Sequence, residues 1–137
     1  MQKILLIHHD LAIRGQLAFL LQHSGFRVVS AIDGQRALLE IYRSPPDLIV
    51  LAEGSHGLNG GLNGDGLCVC IRELCPAPII IVGQNHEEAA GIDLLEKGAD
   101  AYLTSPLNPR ELLAWVRSLL RRYKEEKPSA SYGTERE

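Results

Sequence analysis

The chain has 137 residues, of which 45% are hydrophobic and 23% are charged, a size and balance typical of one globular domain. Fourteen Lys and Arg residues stand against seventeen Asp and Glu residues, and the net charge of -3 excludes a strongly basic surface for nucleic acid. No apolar run approaches the roughly 20 residues that a transmembrane helix needs. Three cysteines, and a start that is typical of a strand rather than a signal peptide, favour a reduced, cytoplasmic protein.

The first half of the chain alternates strand-length apolar runs with helical patterns. In chain order it predicts strand Lys3–Ile7, a helix from its N-cap Asp10 to Gly25, strand Arg27–Ala31, a helix from Asp33 to Tyr42 and strand Asp47–Ala52. In the first helix the apolar residues form one stripe that we expect to face the core, namely Ile13, Leu17, Leu20 and Leu21. The middle of the third strand is apolar throughout, as is typical of a strand covered on both faces.

The second half continues the alternation and ends in a polar segment. It predicts helix Asp65–Cys75, strand Pro78–Val82, helix His86–Lys97 with Gly98 as its cap, strand Asp100–Thr104 and a last helix from its N-cap Asn108 to Tyr123. Residues 124–137 lack periodicity and are predicted to be a tail or linker, so the domain spans 1–123. Five strand–helix repeats indicate an α/β domain with a parallel sheet, whose functional residues lie beyond the carboxyl ends of the strands.

Four segments carry a resemblance to a known family. They are KILLIHHD at the first strand, PDLIVLA at the third, PIIIVGQ at the fourth, and GADAYLTSPLNPRELLAWVRSLLRR over the fifth strand and last helix. Through them the chain resembles the receiver domains of response regulators in two-component signal transduction and phosphorelays, above all the subclass followed by a winged-helix DNA-binding domain. The resemblance implies the doubly wound (βα)5 sandwich of the flavodoxin-like, CheY-like fold, with a parallel five-stranded sheet in the order 2-1-3-4-5.

The resemblance also implies a phosphorylation site, and this chain departs from it at all five positions. The family uses an acidic pair and an Asp that hold Mg²⁺, with that Asp as the nucleophile, and a hydroxyl and a Lys that neutralise the phosphoryl group. The matching positions here are His8, His9, Ala52, Gly83 and Ser105. Ala52 has no oxygen to phosphorylate and neutral imidazoles are poor Mg²⁺ ligands, so we expect no catalytic residue, cofactor, bound metal or enzymatic activity.

Side chains next to these positions leave alternatives open. Asp10 is more simply a helix N-cap than a surviving acidic ligand. Glu53 follows the nucleophile position and would mimic a phosphorylated residue if it faced the site, although strand alternation predicts that it points away. His8 and His9, with His56, would suit a transition metal only if the strand has ended before them, and the near-neutral pKa of histidine would instead make the pocket respond to pH.

The Gly-rich segment EGSHGLNGGLNGDG at 53–66 replaces a shorter loop of the family and contains GLNG twice in tandem. Its candidate pocket and loop residues are His56, Gly57, Gly60, Gly61, Gly64 and Asp65. Backbone this rich in glycine forms nests that bind anions, while a surface loop that covers the altered site is the simpler interpretation. The alternative function is therefore a small-ligand, metal or pH sensor that uses the altered pocket under this loop.

With the phosphorylation site silent, the predicted function rests on binding surfaces. The subclass dimerises through the helix at 86–97, the fifth strand and the last helix, and the matching candidates are Lys97, Asp100, Tyr102, Trp115 and Arg121. Trp115 either seals the edge of the core or anchors the interface. We expect an atypical, phosphorylation-independent receiver that forms a homodimer, contacts other signalling proteins and regulates transcription. It is expected to reach DNA only through a domain outside this chain, and to make no membrane contact.

Overall fold

A parallel sheet forms the centre of the molecule. The computed structural model describes residues 1–53, 64–83, 92 and 95–126, and the side chains at 1–53, 67–83, 92 and 95–123. The strands are β1 (Lys3–Ile7), β2 (Arg27–Ala31), β3 (Leu48–Ala52), β4 (Ile79–Gly83) and β5 (Ala101–Thr104). All neighbouring pairs are parallel, in the order β2-β1-β3-β4-β5. This order confirms the predicted doubly wound, CheY-like arrangement.

Four helices are present in the described part of the chain: α1 (Leu11–His23), α2 (Gly34–Arg43), α3 (Gly64–Leu74) and α4 (Pro109–Glu126). The predicted N-caps of three of them are confirmed. Asp10 Oδ1 accepts from the Ile13 amide at 3.1 Å, Asp33 Oδ1 from the Arg36 amide at 2.9 Å, and Asn108 Oδ1 from the Arg110 amide at 2.9 Å. Each bond satisfies an amide that the first turn of a helix leaves unpaired.

The predicted helix His86–Lys97 lies mostly outside the described residues, and only its end is visible. Gly98, its predicted cap, has a φ of 115°, the left-handed conformation that glycine adopts without steric cost. None of the helices in the described segments is long and apolar enough to cross a bilayer.

The core has two halves, one on each face of the sheet, because successive strand residues point to opposite faces. Leu5 and Ile7 pack with residues of α2 and α3, whereas Ile4 and Leu6 pack with residues of α1 and α4. The five residues of β1, like those of β3 and β4, are all buried. Strands covered on both faces leave only their ends accessible, so the carboxyl edge of the sheet is where a site can form.

Two sequence-based details are wrong. Ile13 is 38% exposed, because it lies in the first turn of α1, where Leu11 is also exposed, and burial begins one turn later at Leu17. The last helix continues to Glu126 rather than ending at Tyr123. Lys124 and the two glutamates after it are good helix formers and interrupt only the apolar periodicity, not the helix.

Candidate functional site

The carboxyl edge of the sheet brings together the positions that sequence analysis singled out. His8 directly follows β1, Ala52 ends β3, Gly83 ends β4 and Ser105 directly follows β5. The register joins them, since Ala52 pairs with Val82 and the Ser105 amide donates to the Gly83 carbonyl oxygen at 2.9 Å. We refer to His8, His9, Ala52, Gly83 and Ser105 as the central site.

Ala52 presents a methyl group where the resemblance implies a nucleophile, and it is only 3% exposed. Gly83 has no side chain, and Ser105 is half-buried and precedes a cis peptide bond to Pro106. These three positions therefore contribute no carboxylate, no ammonium group and a single hydroxyl. The side chains at these three positions carry no charge, and Ala52 has no atom that could attack phosphorus.

His8 and His9 lie side by side, because β1 ends at Ile7 and strand alternation no longer separates them. Their rings stack with centroids 5.0 Å apart, His8 buried and His9 exposed. The Asp10 amide donates to His8 Nδ1 at 3.0 Å, which requires that nitrogen to be unprotonated. Burial is the main cause that lowers the pKa of His8, and the neighbouring His9 and Arg14 lower it further, while Asp10 acts in the opposite direction.

The described residues offer His8 and His9 no third ligand for a metal ion. Among the residues whose placement is described, no group of three or more His, Cys, Asp or Glu side chains could hold a metal ion. His56 lies outside the described residues. Asp10 is engaged as the cap of α1, and the hydrogen bond from the Ile13 amide lowers the pKa of its carboxyl group.

Glu53 lies on the face of the sheet opposite to Ala52, as strand alternation predicts, because its partner Tyr102 packs with the core half that contains Leu51. The Glu53 amide continues the pairing with β4 by donating to the Val82 carbonyl oxygen at 2.8 Å, and Glu53 Oε1 accepts a hydrogen bond from the Tyr102 hydroxyl at 2.9 Å. A Cβ built on Gly83 would overlap both the Glu53 carboxylate and the Tyr102 hydroxyl. The space that a side chain at position 83 would fill is thus occupied by a carboxylate–phenol pair. Sequence analysis missed this pair, and its only signal was an acid after β3 combined with a glycine at the end of β4.

The sequence pattern of the family described as "Response regulator receiver domain" matches residues 4–117. The chain belongs to this family. Among curated relatives, the receiver is 34% identical over 122 residues to the sensory transduction protein RegX3 of Mycobacterium tuberculosis, covering 89% of this chain and 52% of that protein. It is 38% identical over 121 residues to the probable transcriptional regulator ycf27 of Cyanophora paradoxa, covering 88% of this chain and 49% of that protein.

Solved structures agree with this assignment. A two-component response regulator from Clostridium difficile superimposes with a TM-score of 0.81 at 31% identity, covering 89% of this chain and 98% of that one. The receiver domain of the Francisella response regulator 1452 gives a TM-score of 0.82 at 28% identity, with 89% and 98% coverage. The chain spans about half the length of the curated relatives that it matches.

The Gly-rich loop of this receiver cannot be described in full. His56, Gly57, Gly60 and Gly61 lie outside the described residues, as does any pocket beneath them. Gly64 and Asp65 form the beginning of α3.

The predicted dimer face receives mixed support from the positions of its residues. Asp100 Oδ2 is already used within the receiver, by Arg72 Nη2 at 3.0 Å and by the Ile79 amide at 2.8 Å. Trp115 is half-buried and packs against the core cluster of α1 and α4. Lys97 is half-buried at the turn before Gly98 and accepts a weak hydrogen bond from the Cys68 thiol through its carbonyl oxygen.

Arg121 and its neighbour Arg122 line different cavities. Arg121 lines a cavity of about 290 Å³ with Gln2 and Phe26. Arg122 is the residue that lines a cavity with Asp100, of about 210 Å³. Successive helix residues are separated by about 100°, so a shift of one position moves a side chain to the other flank.

Proposed function

We propose that this receiver domain signals through protein–protein contacts without accepting a phosphoryl group. The observation that carries the proposal is Ala52, a buried methyl group at the end of β3 where the resemblance implies the phosphorylated Asp. A methyl group has no lone pair with which to attack phosphorus. The proposed domain is therefore not an enzyme and catalyses no phosphotransfer of its own.

The neighbouring positions support the same proposal. Phosphoryl transfer depends on Mg²⁺ and on fixed positive charge near the transferred group. His8 offers a buried neutral imidazole whose Nδ1 is already occupied by the Asp10 amide, and Mg²⁺ prefers hard oxygen ligands. Ser105 supplies a hydroxyl where the family has an ammonium group.

The Glu53–Tyr102 hydrogen bond takes the place of the family's aromatic switch, in which the residue at position 102 follows the hydroxyl group at position 83. Tyr102 stands at the position of the family's switching aromatic, and its hydroxyl is held by a carboxylate that lies over Gly83. In the proposed mechanism, the Glu53 carboxylate is a permanent negative charge beside the former phosphorylation site. It fixes Tyr102 in one orientation, so the output surface keeps one conformation.

The proposed output is dimerisation within a cytoplasmic transcriptional regulator. The curated relatives include a protein named as a probable transcriptional regulator, and they are about twice as long as this chain. In this proposal, a DNA-binding domain outside these residues contacts DNA, because the net charge of -3 gives this chain no basic surface for that purpose. The dimer forms through the 86–97 segment, β5 and α4, and the same surfaces also meet other signalling proteins.

Mass spectrometry of the intact protein tests the absence of phosphorylation. The purified chain is incubated with a small phosphodonor and Mg²⁺, beside a receiver that carries Asp at the nucleophile position as positive control. We expect a phosphoryl adduct on the control and none on this chain. A Mg²⁺-dependent adduct on this chain that hydroxylamine removes, as it removes acyl phosphates, would contradict the proposal.

Sedimentation across a concentration series tests the dimer, and two adjacent arginines provide matched variants. Arg122→Glu reverses a charge on the flank of α4 that shares a cavity with Asp100, whereas Arg121→Glu makes the same change on the flank that shares a cavity with Gln2 and Phe26. We expect Arg122→Glu to weaken dimerisation at least fivefold, about 1 kcal/mol, and Arg121→Glu to leave it unchanged. A chain that stays monomeric, or equal effects of both variants, would contradict the proposed face.

A further inference from the structure

A cavity opens at the carboxyl edge of the sheet, beside the edge strand β2, and we call it the edge cavity. Its volume is about 400 Å³, within the range of roughly 300–1,000 Å³ that small-molecule pockets occupy. It is lined by the end of β2 and by residues of α1 and α2, among them Arg14, Ser30, Ile32, Arg36, Leu39 and Arg43. None of these residues belongs to the central site or to the proposed dimer face.

The lining of the edge cavity is positively charged. Its one acid, Glu40, forms an ion pair with Arg43, with Oε2 and Nη1 3.4 Å apart. The charges of Arg14 and Arg36 have no acidic counterpart in the lining. Composition does not explain this cluster, because residues 1–120 hold nine basic and thirteen acidic side chains, and three of the nine basic ones meet here.

The two unpaired arginines differ in how they are held. Arg14 is half-buried, and its Nη1 donates to the His8 carbonyl oxygen at 3.0 Å, which fixes the guanidinium and leaves its other N–H groups for a ligand. Arg36 lies exposed in the first turn of α2, and no described residue forms a hydrogen bond or ion pair with its side chain. Planar guanidinium forks match the oxygens of a phosphate group in pairs.

Two exposed aliphatic side chains share the cavity with these cations. Ile32 is 51% exposed and Leu39 is 53% exposed. Covering such side chains with an apolar group removes hydrocarbon surface from water and favours binding. A bare inorganic anion would leave both in water, so the lining suits an anion that carries an apolar body.

We propose that the edge cavity binds a small organic phosphate non-covalently, with the phosphoryl group between Arg14 and Arg36 and the apolar body over Ile32 and Leu39. A phosphomonoester carries a charge of about -1.5 to -2 at neutral pH, which matches the two uncompensated arginines. Because Arg14 also holds the His8 carbonyl, the occupied cavity is connected directly to the β1–α1 junction. The site needs no phosphorylation of Asp.

Two-dimensional NMR with phenyl phosphate as the probe tests the proposal at constant ionic strength. We expect saturable shifts of the amides at 30–32 and 36–43. Phenol lacks the anion and inorganic phosphate lacks the apolar body, so both should bind more weakly than phenyl phosphate. Benzoate keeps the ring and replaces the phosphate with a single carboxylate, and it too should bind more weakly. Binding of benzoate as tight as that of phenyl phosphate would overturn the assignment to a phosphate.

Arg36→Gln and Arg27→Gln are the matched variants, since both residues are exposed and Arg27 lies at the opposite end of β2. Arg36→Gln should weaken phenyl phosphate binding about tenfold. Arg27→Gln should leave binding unchanged, and both variants should keep the thermal midpoint of the wild type. Equal weakening by both variants, shifts centred elsewhere, or no saturation would overturn the proposal.

Discussion

The central site and the edge cavity lie on the same carboxyl edge of the sheet, yet they treat polar groups in opposite ways. In the central site and directly beside it, polar groups find partners inside the chain: the His8 ring binds the Asp10 amide, and next to Gly83 the Glu53 carboxylate binds the Tyr102 hydroxyl. In the edge cavity, the Arg36 side chain has no described partner. Groups that are satisfied internally stabilise one conformation, whereas an uncompensated charge in a cavity leaves interaction energy for a ligand. The comparison therefore distinguishes the central site, whose polar groups are held in one conformation, from the edge cavity, whose charges are available to a ligand.

The largest expected effect comes from restoring a carboxylate to the central site. Ala52→Asp places a charge at a position that is 3% exposed, beside Glu53 and without the cations that the family supplies. We expect the free energy of unfolding to fall by about 3 kcal/mol at pH 7.5, as for other unpaired buried charges. Burial raises the pKa of the introduced group, so the penalty is present above that raised pKa and disappears as pH falls below it.

Ala52→Asn is the matched control, because it adds nearly the same volume without a charge. We expect it to lose about 1–2 kcal/mol, from overpacking, with no dependence on pH or on Mg²⁺. If Mg²⁺ stabilised the Asp variant selectively, the central site would retain a functional cation site. The proposed contrast between a central site that binds no ligand and an edge cavity that binds one would then be wrong.

Sequence patterns predicted the fold well because each element carries its own local signal. The helix ends at Asp10, Asp33, Asn108 and Gly98 are determined by residues close in sequence. A chain in which strands and helices alternate can form only a few parallel-sheet topologies. The sheet order came from the resemblance rather than from periodicity. The errors lie at helix ends: the apolar stripe continues to Ile13 in an exposed first turn, and the last helix continues beyond Tyr123, where its apolar periodicity stops.

The site was harder to predict because it depends on where strands end and on which side chains then meet. Glu53 meets Tyr102 because the pairing of β3, β4 and β5 places Glu53, Gly83 and Tyr102 close together on one face of the sheet. Residues of the edge cavity are dispersed from 14 to 43 and match no motif.

An intermediate effect is expected from removing the hydrogen bond between Glu53 and Tyr102. Tyr102→Phe removes the donor to the Glu53 carboxylate and should lower the free energy of unfolding by about 1.5 kcal/mol. Glu53→Gln keeps an acceptor for the hydroxyl and should cost less. A double-mutant cycle with Glu53→Ala and Tyr102→Phe should give a coupling energy of about 1 kcal/mol in chemical denaturation.

That cycle also sharpens the comparison with the edge cavity. Neither Glu53 nor Tyr102 lines the cavity, so Tyr102→Phe should leave phenyl phosphate binding unchanged. A coupling energy near zero would show that Glu53 does not hold Tyr102 in one orientation. A large change in phenyl phosphate binding would show that the two regions act as one.

The smallest expected effect concerns His8, which joins the two regions: its ring lies in the central site, and its carbonyl accepts from Arg14 of the edge cavity. Burial, His9 and Arg14 lower the pKa of His8, and Asp10 opposes them only in part. Because the folded pKa is below the unfolded value, the folded state favours the neutral ring. This contribution is present above the unfolded pKa and is lost as pH falls through the folded one.

Thermal or chemical unfolding between pH 7.5 and 5 measures this loss, which should stay below about 1 kcal/mol because protonation of Nδ1 breaks one partly exposed hydrogen bond. His8→Asn retains an acceptor for the Asp10 amide but does not titrate, so its stability should depend less on pH than that of the wild type. His23→Gln changes an exposed histidine of α1 away from this bond and should retain the wild-type dependence. If His8→Asn also retained it, the charge of the His8 ring would have no part in linking the centre to the edge.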